Sequence, residues 1–443
     1  MSKRILPENT PLKNINWHSM DAWEKIGSWL MIVVLGIVGI GSLFAPEKSY
    51  HRILFVFVAL LLVYGCYLLF IYLMHGRTRK TDGLYGVLAI VLAAVLTFNE
   101  QLPKQLVQAL FGFYCLGISI VMTVQILIHL EDGVKVRVTN VLFALSYAVL
   151  AIVLFTMDLF GSGFLIRLFG IYFLLLAIRM ALTMFDLNSA SYRWKRGFYV
   201  SLPIVLATIL PDFAVRKINE KFRVGQSYEL ESIKRDDPVK LRAMVHIGPE
   251  GFQKIGHFSF SWKGMVYSYG NYDAKSERFF TMLGDGVYFT VPDDVYLDNI
   301  VRHEHNTIFE YSILTTPEQD EKIEACLKDL KDRSYRWYCD LEKKQGNELG
   351  DLESDYPCRL HYRTGAKFYK LRRGPFKTYW AAGDNCVLFS EVILGSIGAD
   401  VLSLRGIITP GAYYDYLENE YAKENSPIIE RRVYAEAANH KGI

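Results

Sequence analysis

The chain has 443 residues, of which 51% are hydrophobic and 21% charged, and a formal net charge of +3. A charge that small, with much of the basic content in short loops between apolar runs, excludes a protein held to nucleic acid by phosphate contacts. Apolar residues gather in the first half into runs of about 20, the length needed to cross a bilayer, whereas the sequence from Arg216 onward is mixed and charged and long enough for a separate domain.

A polar tail over residues 1–25 precedes the first apolar run, which has no small-residue cleavage site and reads as a retained anchor. Six spans are predicted, from Ile26 to Ala45, Ile53 to Met74, Gly83 to Phe98, Leu106 to Leu130, Asn140 to Phe160 and Phe164 to Phe185. A seventh candidate, Phe198 to Val215, is short, contains Pro203 and Pro211 and carries Asp212 near its end. The membrane domain is thus expected over residues 26–215.

Lys and Arg in short loops favour the cytoplasmic side. Here they cluster before the first span (Lys3, Arg4, Lys13, Lys25) and after the second (Arg77, Arg79, Lys80), fourth (Lys135, Arg137) and sixth (Arg193, Lys195, Arg196). The intervening loops offer Lys48, Arg52 and Lys104. The N-terminus is therefore expected in the cytoplasm of a multi-pass cell-membrane protein. A run of about 18 apolar residues reaches the lower limit for a span, so residues 198–215 are expected to cross and to put the soluble domain outside. Were they to lie in the interface, the domain would stay in the cytoplasm.

The membrane half repeats itself. Leu110-Phe111-Gly112-Phe113-Tyr114 recurs as Leu168-Phe169-Gly170-Ile171-Tyr172, and Val63-Tyr64-Gly65 sits at a comparable depth in the second span. Three tandem two-helix hairpins account for this, and over roughly residues 20 to 190 the pattern resembles the HdeD-type family of six-helix bacterial membrane proteins. Glycine at such places lets helices approach closely. Polar residues within spans are Gln125, Arg167 and Arg179; Arg167 can snorkel from a helix end, and Arg179 can pair with a lipid phosphate, Asp158 or Asp186. No chain of intramembrane acids marks a transport path, so an anchoring role is expected.

Residues 216–240 read as a charged linker and 421–443 as a C-terminal tail, bracketing a soluble domain over 241–420. Strands are predicted at Arg242 to Ile247, His257 to Trp262, Met265 to Tyr269, Gly286 to Thr290 and Thr307 to Ile313, followed by a helix that starts at Thr316-Pro317-Glu318 and carries Ile323, Cys326, Leu327 and Leu330 on one stripe. The fold class is a polytopic α-helical membrane domain joined to an α+β domain with an antiparallel sheet. Near its end, Asp384 and Asn385 signal a helix start that places Cys386 in the first turn. Peptide dipoles and free N–H groups at a helix N-terminus stabilise a thiolate and can hold an oxyanion. A base must accompany such a nucleophile, and His257, projecting from a central strand, is the candidate.

Gly256-His257-Phe258-Ser259-Phe260, then Tyr267-Ser268-Tyr269-Gly270-Asn271, then the late Asp384-Asn385-Cys386, together resemble the permuted branch of the NlpC-type papain-like superfamily, which includes lecithin retinol acyltransferase-like proteins and bacterial amidases, over about Leu241 to Tyr416. The resemblance implies a papain-like fold with Cys386 as nucleophile, His257 as base and a third polar residue steadying the imidazole. Acyltransferase-like members use a second histidine on the next strand, which this chain lacks. Ser268, Tyr269 and Asn271 are the candidates, and Asn271 is preferred.

The remaining chemistry-bearing residues have plainer readings. Cys326 and Cys339 are expected in the core, Cys358 in a loop or the core, and the soluble-half cysteines show no disulfide or zinc spacing. His303-Glu304-His305 reads as a solvated turn, so neither metal nor cofactor is implied. The stretch from Arg359 to Trp380, with Arg363, Lys367, Lys370, Arg372, Arg373 and Lys377, could lie on anionic headgroups or an anionic wall polymer, or be an exposed strand pair with solvated charges. The expected function is a membrane-anchored cysteine hydrolase acting through an acyl-enzyme on Cys386. Its partners are the bilayer and an envelope polymer or lipid substrate, with no nucleic acid. An outward domain favours a peptidoglycan stem peptide or another envelope amide, and an inward one a lipid-directed acyl hydrolase or acyltransferase. A stress-related membrane protein whose hydrolase-like domain only binds a ligand is the alternative from another class.

Overall fold

A computed structural model describes residues 22–74, 80–99, 101–157, 163–186, 197–199, 227–248, 256–345, 348–398, 401–403, 410–423 and 425–436. Six helices fill the first half: α1 (Ala22–Phe44), α2 (Pro46–Met74), α3 (Lys80–Phe98), α4 (Gln101–Glu131), α5 (Val138–Thr156) and α6 (Phe164–Asp186). Each is long and apolar enough to cross a membrane. Large apolar side chains such as Ile37, Phe55, Phe70, Phe98, Phe113 and Ile152 stand exposed on them, which suits a hydrocarbon surround and no other.

The chain divides into two compact units. One holds residues 21–123 and 137–182; the other holds residues 183–443 together with 124–136, the last turns of α4 and the connection after it. Within the first unit the repeated glycines mark close helix approaches. A methyl group on Gly65 would lie 3.0 Å from the Gly86 carbonyl oxygen, one on Gly112 would meet the Phe155 ring at 2.8 Å, and one on Gly170 would meet the Gly39 carbonyl oxygen at 2.8 Å. These positions therefore serve packing. Arg167 is exposed one turn into α6. Asp158 and the side chains of Arg179 and Asp186 lie outside the described residues.

The C-terminal unit is built on thirteen described strands: β1 (Gly197–Tyr199), β2 (Ser227–Ile233), β3 (Leu241–Ile247), β4 (His257–Trp262), β5 (Met265–Gly270), β6 (Leu283–Asp285), β7 (Val287–Pro292), β8 (Thr307–Ile313), β9 (Ser334–Trp337), β10 (Lys367–Leu371), β11 (Thr378–Trp380), β12 (Val401–Ser403) and β13 (Ile428–Glu436). Nine of them form one antiparallel sheet in the order β2-β13-β8-β3-β4-β5-β7-β10-β9. Strands β6 and β11 make a separate antiparallel pair, and β1 pairs in parallel with β12. The helices are α7 (Asp293–Arg302), α8 (Pro317–Asp332), α9 (Asp340–Lys344), α10 (Tyr356–Thr364), α11 (Cys386–Ser396) and α12 (Pro410–Ala422).

Helices cover both faces of the sheet. On one, Val245, Phe258, Phe260 and Tyr269 pack with Ile323 of α8, Cys386, Val387, Phe389 and Ile393 of α11 and Tyr413 and Leu417 of α12. On the other, Met244, Val266 and Phe289 pack with Tyr296 and Ile300 of α7 and Leu360 of α10. Local signals start these helices as the sequence predicts. The Thr316 hydroxyl accepts from the Gln319 N–H while the Gln319 side chain accepts from the Thr316 N–H, a reciprocal cap closed by Pro317 in the first turn.

Two expectations change here. Residues 227–233 of the expected linker are strand β2, and residues 428–436 of the expected tail are β13, which pairs with β2 on one side and β8 on the other. Their polar residues conceal them. Arg431 is buried against Glu418 of α12 at 2.6 Å, the same carboxylate accepts from the Tyr311 hydroxyl at 2.6 Å, and Arg432 reaches Glu231 at 2.9 Å. Phe198 and Tyr199, the first residues of the seventh candidate span, belong to β1; residues 200–215 lie outside the described residues.

Because Arg431 and Glu418 are each only 4% exposed, removing one partner leaves a buried charge without compensation. Arg431→Ala should cost about 3–5 kcal/mol of stability. A thermal unfolding scan of the full chain in detergent will read this as a fall in the midpoint of the C-terminal transition.

Candidate functional site

Cys386 is the first residue of α11, and the Asn385 side chain caps that helix by accepting from the N–H groups of Val387 at 3.0 Å and Leu388 at 3.1 Å. The thiol is buried, 5% exposed. Burial pushes it up to about 11, against the pull of the backbone N–H groups of Phe258, Cys386 and Val387 that face the sulfur. This corrects the expectation of a thiolate formed by the helix start alone. Helix N-termini depress a thiol where water can still reach it, and here desolvation is the larger effect.

His257 opens β4. Its Nε2 is hydrogen-bonded to the Ser268 hydroxyl at 2.7 Å and to the Tyr272 hydroxyl at 3.3 Å, and these two hydroxyls lie 3.0 Å apart. Of the three candidate partners Ser268 is the one bonded to His257, and Tyr272 completes the triangle. The preferred Asn271 is elsewhere: its amide donates to the carbonyls of Thr281 at 3.1 Å and Leu283 at 3.4 Å, bracing the approach to β6. Tyr269 faces the opposite layer, where its hydroxyl donates to the Phe376 carbonyl at 3.1 Å. Burial lowers His257 from its ordinary 6.5 to about 4, so the imidazole is neutral at neutral pH.

Alternation along β4 sends His257 to the α7 side and Phe258 to the α11 side. Cys386 packs in the layer of Phe258, the neighbour of His257 along β4. The β3–β4 ladder runs to His246↔His257, but the β4–β5 ladder stops at Ser259↔Ser268. The strands part there. Among the described residues the Cys386 and His257 side chains share no hydrogen bond. A catalytic contact that closes only with substrate is common in unliganded enzymes.

A second histidine went unnoticed in the sequence. His246 of β3 is buried opposite His257, with ring centroids 5.4 Å apart, and its Nε2 is hydrogen-bonded to Ser259 at 2.7 Å. Burial first, and the neighbouring His257 second, hold it well below the ordinary histidine range. Gly256 permits this crowding: its φ is +91°, and a Cβ there would lie 2.9 Å from the His246 carbonyl oxygen.

The segment leading into Cys386 is tied to the end of α4. Asp132, 2% exposed, accepts from the Thr378 N–H at 3.1 Å, the Thr378 hydroxyl at 3.0 Å and the Lys377 ammonium at 3.2 Å, and its carbonyl accepts from the Gly374 N–H at 2.9 Å. One turn earlier, Nε2 of His129 lies 3.2 Å from the Asp384 carboxylate and 2.6 Å from the Gln125 side-chain amide.

The other candidates resolve into structural roles. Arg359 makes two 2.8 Å bonds to Glu304, to which Arg363 also binds at 3.3 Å, and Lys370 lies between Asp273 and Asp285 at 2.6 Å from each. The basic stretch runs through α10, β10 and β11, and its cations largely meet internal acids. Glu304 is thereby occupied, and His305 pairs with Glu436 at 3.0 Å. Cys326 is half-buried on α8; Cys339 and Cys358, the latter in α10, are buried in one small cluster.

The fold and site define a polytopic membrane protein with an α+β domain that presents a cysteine and a histidine at a parting of strands. Comparison with protein-family models, with curated proteins and with solved structures finds no match to this chain.

Alkylation of Cys386 by iodoacetamide, in a variant lacking the other five cysteines, should be slow at pH 7 and rise toward a midpoint near 11, as stopped-time mass spectrometry will show. For His257 the folded value lies below the unfolded one, so the unfolded chain protonates first. Its contribution to stability is complete above pH 6.5 and drains away as pH falls to about 4, by at most about 1.4 kcal/mol per pH unit. His257→Gln should flatten the pH dependence of the unfolding midpoint across that window.

Proposed function

We propose that the C-terminal unit is a cysteine acyl hydrolase or acyltransferase that works on acyl lipids at the cytoplasmic surface of the membrane. The observation that carries the reading is a cysteine at the Asn385-capped start of α11 in the same domain as a buried imidazole held by Ser268. A neutral imidazole and a protonated thiol favour general-base catalysis over a standing ion pair. The thiol proton passes to His257 as the sulfur bonds to the acyl carbon. The oxyanion that forms lies beside the N–H groups around the sulfur. Collapse breaks the bond to the leaving alcohol or amine, which takes the proton from the imidazolium. Water, giving its proton to His257, then cleaves the thioester to a carboxylic acid and restores the thiol; an acceptor alcohol or amine in its place would complete a transfer.

The choice of substrate rests on α4. At about 1.5 Å per residue its 31 residues extend about 46 Å, well beyond an apolar core of about 30 Å. Its surplus end carries Gln125 and His129, and the connection that follows carries Asp132 and then Lys135 and Arg137, a cytoplasmic signature. Bonding of Asp132 to Thr378 supports a domain on that same side, and membership of Phe198 and Tyr199 in β1 speaks against a seventh crossing. A domain on the cytoplasmic side favours acyl lipids over wall peptides.

The test incubates the full chain in phosphatidylethanolamine and phosphatidylglycerol vesicles with isotopically labelled acyl chains. The expected result is an acyl adduct on Cys386, cleaved by neutral hydroxylamine and absent in Cys386→Ala, with His257→Gln slowing its formation by at least about 100-fold. No adduct and no fatty acid release would overturn the acyl-lipid reading, and turnover of a stem-peptide amide instead would return the domain to the cell envelope.

A further inference from the structure

The last turns of α4 do more than emerge from the membrane. They grip both ends of the segment that delivers the cysteine. Asp132 holds its start, taking the Gly374 and Thr378 N–H groups, the Thr378 hydroxyl and the Lys377 ammonium. His129 holds its end at Asp384, two residues before Cys386. Between these anchors the chain runs through β11 and a tight turn, in which the Asn385 amide donates to the Ala381 carbonyl at 3.0 Å. Gln125 presses on the middle of the turn: a Cβ on Gly383 would lie 1.6 Å from its Oε1, so a side chain there would prise the segment from the helix. The Asp132 carboxylate is buried and fully engaged, which is costly to arrange unless the geometry it enforces is needed.

We propose that the end of the fourth apolar helix and the residue after it, through Asp132, His129 and Gln125, is a positioning element for Cys386: it sets where α11 begins and hence where the thiol lies. The three are positioning residues and touch no reacting atom. The proposal rests on Cys386 being the reacting group, but its first readout does not need turnover. Disturbing the anchors moves the thiol toward water and changes its reactivity.

The experiment compares the full chain in vesicles, with Cys386 as its one cysteine, against His129→Ala, Asp132→Ala and Gly383→Ala. Iodoacetamide alkylation is followed from pH 7 to 11 and unfolding midpoints are measured in parallel. Each variant should alkylate at least about 10-fold faster at pH 8, with a lower pH midpoint, while remaining folded at the assay temperature. His129→Gln, which keeps a donor for Asp384, should return toward the parent rate. Asp384→Ala combined with His129→Ala should add little to either alone, because the two changes break one contact. Lys135→Ala, on an exposed residue of the same connection, should change nothing.

Unchanged alkylation in folded His129→Ala and Gly383→Ala, or strictly additive effects of His129→Ala and Asp384→Ala, overturns the proposal. If Asp132→Ala fails to fold, the His129 and Gly383 variants still decide it. An altered alkylation profile without any acyl adduct would uphold the positioning role and refute the acyl reading. An adduct in the parent chain with unaltered alkylation in the variants would do the reverse.

Discussion

The early end of one ladder governs the candidate site. Strand β4 stays paired with β3 through His257, whereas its ladder with β5 begins only at Ser259, so His257 and Phe258 lie where the sheet opens. Asn385 caps the start of α11 at Cys386, and the hydroxyls of Ser268 and Tyr272 hold the His257 ring. Desolvation favours the uncharged form of both side chains.

The two halves obey different solvents. In the helical unit, glycines bring backbones together and large apolar side chains face outward, an arrangement stable in lipid and untenable in water. In the C-terminal unit the same residue types turn inward on both faces of the sheet, and charges on the surface-facing segments find partners such as Glu304 and Asp273. The end of α4 belongs to this second regime. Gln125 and Asp132, out of place in hydrocarbon, are used there as hydrogen-bonding groups of a soluble domain.

Much of this was legible in the residues. The six spans follow from length and apolarity, and β4, β8 and the start of α8 and α11 follow from β-branched runs and capping residues. Register is legible too. The two-residue turn at Lys263 and Gly264, with φ of 49° and 78°, pairs Trp262 with Met265 and so sets Ser268, not Tyr269 or Asn271, on the face of His257. Strand β13 was hidden because Glu430, Arg431 and Arg432 imitate a solvated tail; their burial depends on partners in α12, β2 and β8 that no local pattern reveals. The ties from His129 and Asp132 span about 250 residues and lie beyond any reading of periodicity.

Strand β13 also bears on how the molecule is made. It lies in the interior of the nine-stranded sheet, between β2 and β8, although it is the last described strand. The six spans can enter the bilayer one after another during synthesis. The sheet, by contrast, stays open at an interior position until the ribosome has released residue 436, with the exposed edges of β2 and β8 waiting for it. Assembly of the cysteine domain thus waits for β13, after all six apolar helices have been made.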